Sequence, residues 1–290
     1  MQGVAHQLLS GIATGGIYAS MALALVMIYQ TTHHVNFAQG EMATFSAYIA
    51  YTLISAGVPY WLAFITTILV SFFLGAVIER LIMRPMAGKP ALASVGAFIG
   101  LLLLFNSLSG WIWGYEIKAF PTPFDGSPPF LAGVVSGHEL GSFCISFAML
   151  LLVYLFFRRT TLGLALRAAA HNPLSSRLVG IRVQRMFALG WGLAAALGAV
   201  AAMLIAPVVF LDPNMMGGVM LYAFAGALLG GINSPFGAVL GGYAVGIMEN
   251  LAGAYLVGTE LKLTLALAII ICVLIIKPSG LLGRAITTRV

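Results

Sequence analysis

The sequence predicts an all-α fold: a polytopic transmembrane helical bundle of about 8–10 spans, with broken or re-entrant segments and a short cytoplasmic helical element. Three observations carry that expectation. The chain is 61% hydrophobic and only 8% charged, where a soluble domain carries about a quarter charged residues. Its mean hydropathy is +1.03. Its 14 Lys and Arg are unevenly placed: Arg158, Arg159, Arg167, Arg177, Arg182 and Arg185 crowd into 158–185, a stretch without an acidic residue, between uncharged apolar runs at 140–157 and 186–211. Basic loops between spans are expected on the cytoplasmic side. The net charge of +6 therefore concerns topology and anionic headgroups, making membrane lipid a partner and nucleic acid not one.

A helix needs about 20 predominantly apolar residues to cross the hydrocarbon core. The first such segment runs from Leu8 to Tyr29, and no Asp, Glu, Lys or Arg precedes residue 41. It is longer than a signal-peptide core, has no basic lead-in and shows no small-residue cleavage site, so it is expected to be a retained span. The polar interval 31–41 follows, and Ala56-Gly57-Val58-Pro59 divides the next apolar run into spans at 42–56 and 60–80. Arg80, Arg84 and Lys89 mark a cytoplasmic loop before a fourth span at 91–111. Residues 112–140 hold three of the eight acidic residues (Glu116, Asp125 and Glu139), four prolines and one Lys, and are expected to be external. Trp111, Trp113 and Tyr115 at its edge suit an interfacial aromatic belt. Spans at 141–157 and 186–211 flank the arginine loop, and Asp212-Pro213-Asn214 marks an external turn. The run 217–248 is too long for one span and breaks at 230–235; a last span covers 261–276. Lys277, Arg284 and Arg289 place the C-terminus in the cytoplasm. The scheme gives about nine spans, an external N-terminus and one transmembrane domain over 1–290.

Within the arginine loop, Leu162, Leu166 and Ala169 recur at helical spacing, Asn172-Pro173 interrupts, and Leu174, Leu178 and Ile181 resume the pattern. Two short surface helices with a hinge are expected. The charge alone is equally well explained by a positive-inside loop with no further role.

Lipid cannot hydrogen-bond an opened backbone, so broken helices are tolerated only inside protein or along a wet cavity. Asn36, Gln39 and Glu41 at the first break, and Asn233 and Ser234 at the second, are therefore candidate walls of a translocation path; ordinary cytoplasmic turns are the alternative. Glu249, with Asn250 beside it, lies inside GYAVGIMENLAGAYL. An ionisable residue there costs about 2.5–3.5 kcal/mol and should face the bundle interior or water. A place on the path and a structural interhelical hydrogen bond both fit. Glu79-Arg80 reads as an interfacial ion pair. The pairs Gly11/Gly15, Gly226/Gly230, Gly237/Gly241 and Gly242/Gly246 read as close packing within one bundle rather than a dimer interface. Asn36–Gly40 and Asn233–Gly237 both read N-x-x-x-G at a break, which suggests parallel repeats.

Enzyme chemistry finds little support. His33 and His34 are adjacent and would point to different faces of a helix, so they do not read as a metal pair. Cys144 and Cys272 lie in apolar runs without disulfide or metal-ligand spacing. Gly88-Lys89 is followed by Pro90, so there is no P-loop, and neither a nucleophile elbow nor H-E-x-x-H occurs. No catalytic residue and no metal ligand is expected.

Four stretches together resemble the permeases of branched-chain amino acid ABC importers, and specifically the shorter permease subunit. They are GGIYASMALALVMIY with VNFAQGEMATFSAYIAY (15–29, 35–51), LRAAAHNPLSSRLVGIRVQRMFALGWGLAAALGAVAAML (166–204), LLGGINSPFGAVLGGYAVGIMENL (228–251) and IIKPSGLLG (275–283). Two positions depart from the family pattern: His171-Asn172 stands where an acidic residue often follows the alanines, and Gln39 where many relatives have His. The resemblance implies a bacterial inner-membrane permease that pairs with a second, homologous permease as a hetero- or homodimer. Two cytoplasmic ATPase subunits would hydrolyse ATP, leaving this chain without a cofactor, and a periplasmic binding protein would deliver substrate. The short helices at 162–181 would be gripped by the ATPase, with Arg167, Arg177 and Arg182 as docking contacts. Leu174, Leu178 and Ile181 would seat the apolar face of this lever, with Ala168 and Gly180 in the same element. ATP-driven closure would then switch the bundle between outward- and inward-facing states as a rigid-body alternation.

Within that reading the substrate is leucine, isoleucine or valine, or else urea, a short amide or another small solute. A proton-coupled secondary transporter using Glu41 or Glu249 is the competing class, and the hinged arginine loop is what it leaves unexplained. An integral-membrane enzyme would need a clustered acid, base or metal set that the sequence lacks.

Overall fold

The computed structural model describes residues 2–124, 126 and 135–283. Asp125, Pro128 and Pro129 of the expected external loop and Arg284 and Arg289 of the tail lie outside the described residues. The chain forms α1 (Gln2–Thr32), α2 (Gln39–Ser55), α3 (Tyr60–Ile78), a π-helical turn (Glu79–Met83), α4 (Arg84–Met86), α5 (Ala91–Trp113) and α6 (Gly137–Arg159). It continues through α7 (Thr161–His171), α8 (Pro173–Leu178), α9 (Val183–Val209), α10 (Met216–Gly230), α11 (Pro235–Tyr255) and α12 (Lys262–Ile276). Among the described residues there is no β-strand, only an isolated bridge in which Lys118 and Leu211 exchange two backbone hydrogen bonds of 2.9 Å. Among the described residues, five helices are long and apolar enough to cross a membrane: α1, α3 with its continuation to Met86, α5, α6 and α9. The apolar helices α10 and α12 are shorter.

The breaks follow local chemistry. Gly57 takes φ 87° after α2, a left-handed conformation that glycine reaches without steric cost, and Pro59 sets the entry to α3. His33 ends α1 in the same left-handed region at φ 57°, where a non-glycine residue is strained. At the start of α6, the Ser136 hydroxyl accepts from the Glu139 amide at 3.1 Å and the Glu139 carboxylate from the Ser136 amide at 2.8 Å, a capping box.

The helices gather into two compact units. The first comprises Met1–Val26, Thr122–Cys144 and Gly218–Val290. Glycines let its helices close on one another. A Cβ at Gly15 would fall 3.0 Å from the Tyr243 Cα, and one at Gly226 2.7 Å from the Gly242 Cα. Gly246 abuts Gly15, and Gly242 abuts Ala19, so α11 is sandwiched between α1 and α10. The small-residue pattern serves packing inside this unit. The segment after α12 then returns to α10: the Leu281 and Leu282 amides donate to the Leu229 and Gly230 carbonyls at 2.8 and 3.0 Å. Those carbonyls belong to the last turn of α10, which has no intrahelical donors left for them.

The second unit comprises Met27–Pro121 and Ile145–Gly217. Its centre is α9, which packs against α2, α3 and α7. A Cβ on Gly75 of α3 would lie 2.5 Å from the Trp191 carbonyl oxygen, so that glycine sets the approach of α3 to α9. Trp191 is 1% exposed and stacks on Phe98 of α5. The opposite face of α5 is apolar and open, with Leu92, Ile99, Leu103 and Trp111 exposed, as a lipid-facing helix requires.

One local reading changes. Glu79 pairs with Arg84 at 2.6 Å and not with Arg80. The π-helical turn bonds i to i+5, so the residue five positions on, rather than the neighbour, comes over the carboxylate. Trp113, half-buried at the end of α5, stacks on Tyr48 at 4.9 Å and its ring N–H donates to the Thr52 hydroxyl at 2.8 Å.

A candidate coupling element and two polar interiors

The arginine loop folds as two capped helices. Thr160 Oγ1 accepts from the Gly163 amide at 3.0 Å and so caps α7. Asn172 Oδ1 accepts from the Ser175 amide at 3.0 Å, capping α8, with Pro173 in the first helical position where its missing N–H costs nothing. Gly180 closes α8 at φ 85°. One face of α7 is anchored: Leu166 and Ala169 are buried against Val183 and Met186 of α9, with Phe157 and Ile181 packed alongside. The other side is bare. Leu174 is 73% exposed and Leu178 89%, with Val179 beside them at 76%. Arg167, Arg177 and Arg182 are exposed around them, Gly180 is exposed and Ala168 half-buried. Ile181 therefore turns inward, whereas Leu174 and Leu178 face out.

The first break belongs to the second unit and is part surface, part interior: His33 and Phe37 are exposed. Asn36, Ala38, Gln39 and Gly40 are buried. Asn36 Oδ1 accepts from the Ala38 amide at 3.0 Å, and the Gln39 side-chain amide donates to the carbonyl of Ala194, in the interior of α9, at 2.9 Å. Close by, Gly198 leaves room for that amide, since a Cβ there would stand 2.7 Å from Gln39 Nε2. Glu41 is half-buried and accepts from the Asn106 amide of α5 at 3.2 Å; the same amide reaches the Asn214 side-chain oxygen at 2.9 Å. α2 thus begins well along α5 and α9.

The second group lies in the first unit. Glu249 is 7% exposed. The Tyr18 hydroxyl of α1 donates to its Oε2 at 2.8 Å, and Lys262 Nζ of α12 stands 3.3 Å from its Oε1. Tyr18 in turn stacks on Tyr222 of α10, ring centroids 5.0 Å apart. Asn250 donates to the Gly246 carbonyl at 3.1 Å, a bond within its own helix. Ser234 Oγ caps α11 through the Gly237 amide at 3.0 Å, and Asn233 lies half-buried in the preceding turn. The structure therefore gathers Asn36, Gln39 and Glu41 at one break, and Glu249 with Asn250 on α11. The two N-x-x-x-G runs each start a helix, but by different bonds.

Sequence reasoning missed Tyr18, Asn106 and Lys262. Asn106 carried a signal, being the one side-chain amide in the apolar run 91–111. Tyr18 carried none, because its partner lies 231 residues away, and Lys262 starts a different helix from Glu249, so no helical period links the two.

Residues 7–274 match the family model described as branched-chain amino acid transport system / permease component. The chain belongs to that family. It is 33% identical over 294 residues to the high-affinity branched-chain amino acid transport system permease protein BraD of Pseudomonas aeruginosa, covering 96% of this chain and 95% of the relative. It is 31% identical over 295 residues to the corresponding LivH protein of Escherichia coli K12, with the same coverage. A more distant likeness, 27% over 239 residues and 78% of this chain, reaches the autoinducer 2 import system permease protein LsrC of Escherichia coli O9:H4, of which it covers 65%. This permease is accordingly a multi-pass membrane subunit of an ABC importer, and its all-α fold is that of a polytopic membrane protein.

Proposed function

We propose that this permease moves branched-chain amino acids, or small solutes of similar size, inward across the bacterial inner membrane. In this reading it works beside a second, homologous permease, with two ATPase subunits on the cytoplasmic face and a periplasmic binding protein delivering substrate. The observation that supports it best is the bare side of α7 and α8. Leu174, Leu178 and Val179 are exposed on a pair of capped helices whose other face is fixed to α9. Three large apolar side chains held in water by a rigid mount are costly, by about 1.5–3 kcal/mol each relative to burial. A clustered, exposed apolar patch rimmed by charge marks a protein contact. The rim is basic, so the matching surface would be a cleft with carboxylates. Movement of that partner would act on α9 through Leu166 and Ala169.

The side chains at Asn36, Gln39, Glu41, Asn233, Ser234, Glu249 and Asn250 belong to the path in this reading as its supports: most hold helices in position, and neutral groups dominate. Such a lining suits brief, weak contact with a zwitterion, recognition being left to the binding protein. The C-terminus lies in the cytoplasm, and energy comes from the ATPases, no catalysis being assigned to this chain.

The test is co-purification. Extracted with its partners, the intact chain should bring down a nucleotide-binding subunit, and Leu178→Asp should release it while the permease stays folded. A Leu178→Asp permease that retains the ATPase as well as the intact chain does would remove the coupling role from α8.

A further inference from the structure

A second feature of the unit centred on α9 is a cavity of about 330 Å³ among the end of α1, the loop between α3 and α5, α8 and the start of α9. That volume is near the lower limit of small-ligand sites. Its charged lining is Glu79, Arg84, Lys89 and Arg177, with His34 beside them and Trp191 closing the apolar side. Glu79 is already committed: Arg84 donates to its two oxygens at 2.6 and 3.3 Å, and Arg84 also reaches the Gln184 carbonyl at 3.2 Å. Among the described residues, neither Lys89 nor Arg177 has a carboxylate partner. Both ring nitrogens of His34 are buried without a hydrogen-bond partner. Buried polar atoms are rarely left so, and in a cavity lined by cations an orphaned imidazole is available to an acceptor-bearing ligand as well as to water.

Two unpaired cations and an orphaned imidazole around one cavity define the complement: a compact anion with several acceptor oxygens. A phosphate ester supplies them. The surroundings favour a lipid as its source. Leu81, just before Arg84, and Leu92, just after Lys89, are 68% and 82% exposed, so apolar surface adjoins the cavity on both bounding segments. Basic pockets between transmembrane helices take anionic headgroups in this way.

We propose that this cavity binds a phosphate-ester anion through Lys89, Arg177 and His34, its occupant being the headgroup of an anionic phospholipid. Because Arg177 belongs to α8, a bound headgroup also ties the short helices to the loop between α3 and α5. That consequence rests on the coupling role of α8, whereas the binding itself does not.

The experiment is thermal unfolding of the purified full-length chain in neutral detergent, titrated with phosphatidylglycerol, phosphatidylcholine or glycerol 3-phosphate. A saturable rise in Tm with phosphatidylglycerol and none with phosphatidylcholine supports the site. Lys89→Gln, a change at an exposed position, should weaken the phosphatidylglycerol midpoint about fivefold, and His34→Phe should weaken it further. A rise with glycerol 3-phosphate alone would keep the site and assign it to a soluble ester. Equal responses to the two lipids with no response to glycerol 3-phosphate would overturn it. So would a Lys89→Gln protein that binds phosphatidylglycerol as the intact chain does.

Discussion

Glu249 shows most plainly how single residues behave here. Its carboxylate is held by one hydroxyl and one ammonium from two other helices, α1 and α12. Removing one member of a buried pair leaves the other uncompensated, at about 3–5 kcal/mol. Glu249→Leu should therefore lower the stability of the detergent-solubilised permease by about 3 kcal/mol in an unfolding titration, and Lys262→Met in that background should recover most of it. Glu249→Gln keeps an acceptor for Tyr18 and should retain ATP-driven uptake. Loss of uptake with unchanged stability would instead make the carboxylate a proton relay. Glu249 was legible in the sequence as a costly buried charge, but its partners were not. Tyr18 lies 231 residues away, and no local period connects positions at that separation. Likewise the partner of Glu79 was misread because a π-turn changes which residue lies above which, and nothing in ERLIM marks the turn as π rather than α.

At the level of elements the sequence was far more informative. Gly57-Val58-Pro59, Asn172-Pro173 and Gly231–Ser234 each stop a helix because they supply left-handed backbone, a missing N–H or a capping side chain, and all three breaks stand where those chemistries stand. The depth of a break is another matter. The stretch 33–38 has the polarity of a surface turn and exposes His33 and Phe37, yet Asn36 and Ala38 are buried beside Gln39, whose bond to α9 only tertiary packing determines. The glycines divide the same way. Gly246→Val on α11 must displace the Gly15 backbone and should destabilise by about 1–3 kcal/mol. By contrast, Gly96 and Gly100 on α5 have nothing within 4 Å. Replacing Gly100 by Ala should raise stability, by up to about 1 kcal/mol from helix propensity alone. Equal destabilisation by both changes would mean that the close approach of α1 and α11 does not govern this unit. For α8, Asn172→Ala removes the cap and should cost about 1 kcal/mol locally. It would be read as faster amide exchange in 174–178 with little change in global Tm.

For the molecule as a whole, composition announces the solvent: a chain with 8% charged residues places its few charges deliberately. All of its 14 cations except Lys118 and Lys262 fall in the loops at 80–89 and 158–185 or in the tail from Lys277, leaving the helices between them free to face lipid. Six of them surround an element with one face packed and one face bare. In the proposed coupling role that asymmetry is the physical content: a lever needs a fixed end, which Leu166 and Ala169 packed on α9 would supply, and a free end, which the exposed Leu174 and Leu178 would supply. The most direct test is ATP-dependent uptake of radiolabelled leucine into proteoliposomes holding the complete importer, with intact permease or Leu178→Asp. The account predicts that the substitution abolishes uptake while the Tm of the permease and the ATP hydrolysis of the isolated ATPase are unchanged. Undiminished, ATP-dependent uptake by the Leu178→Asp importer would contradict it.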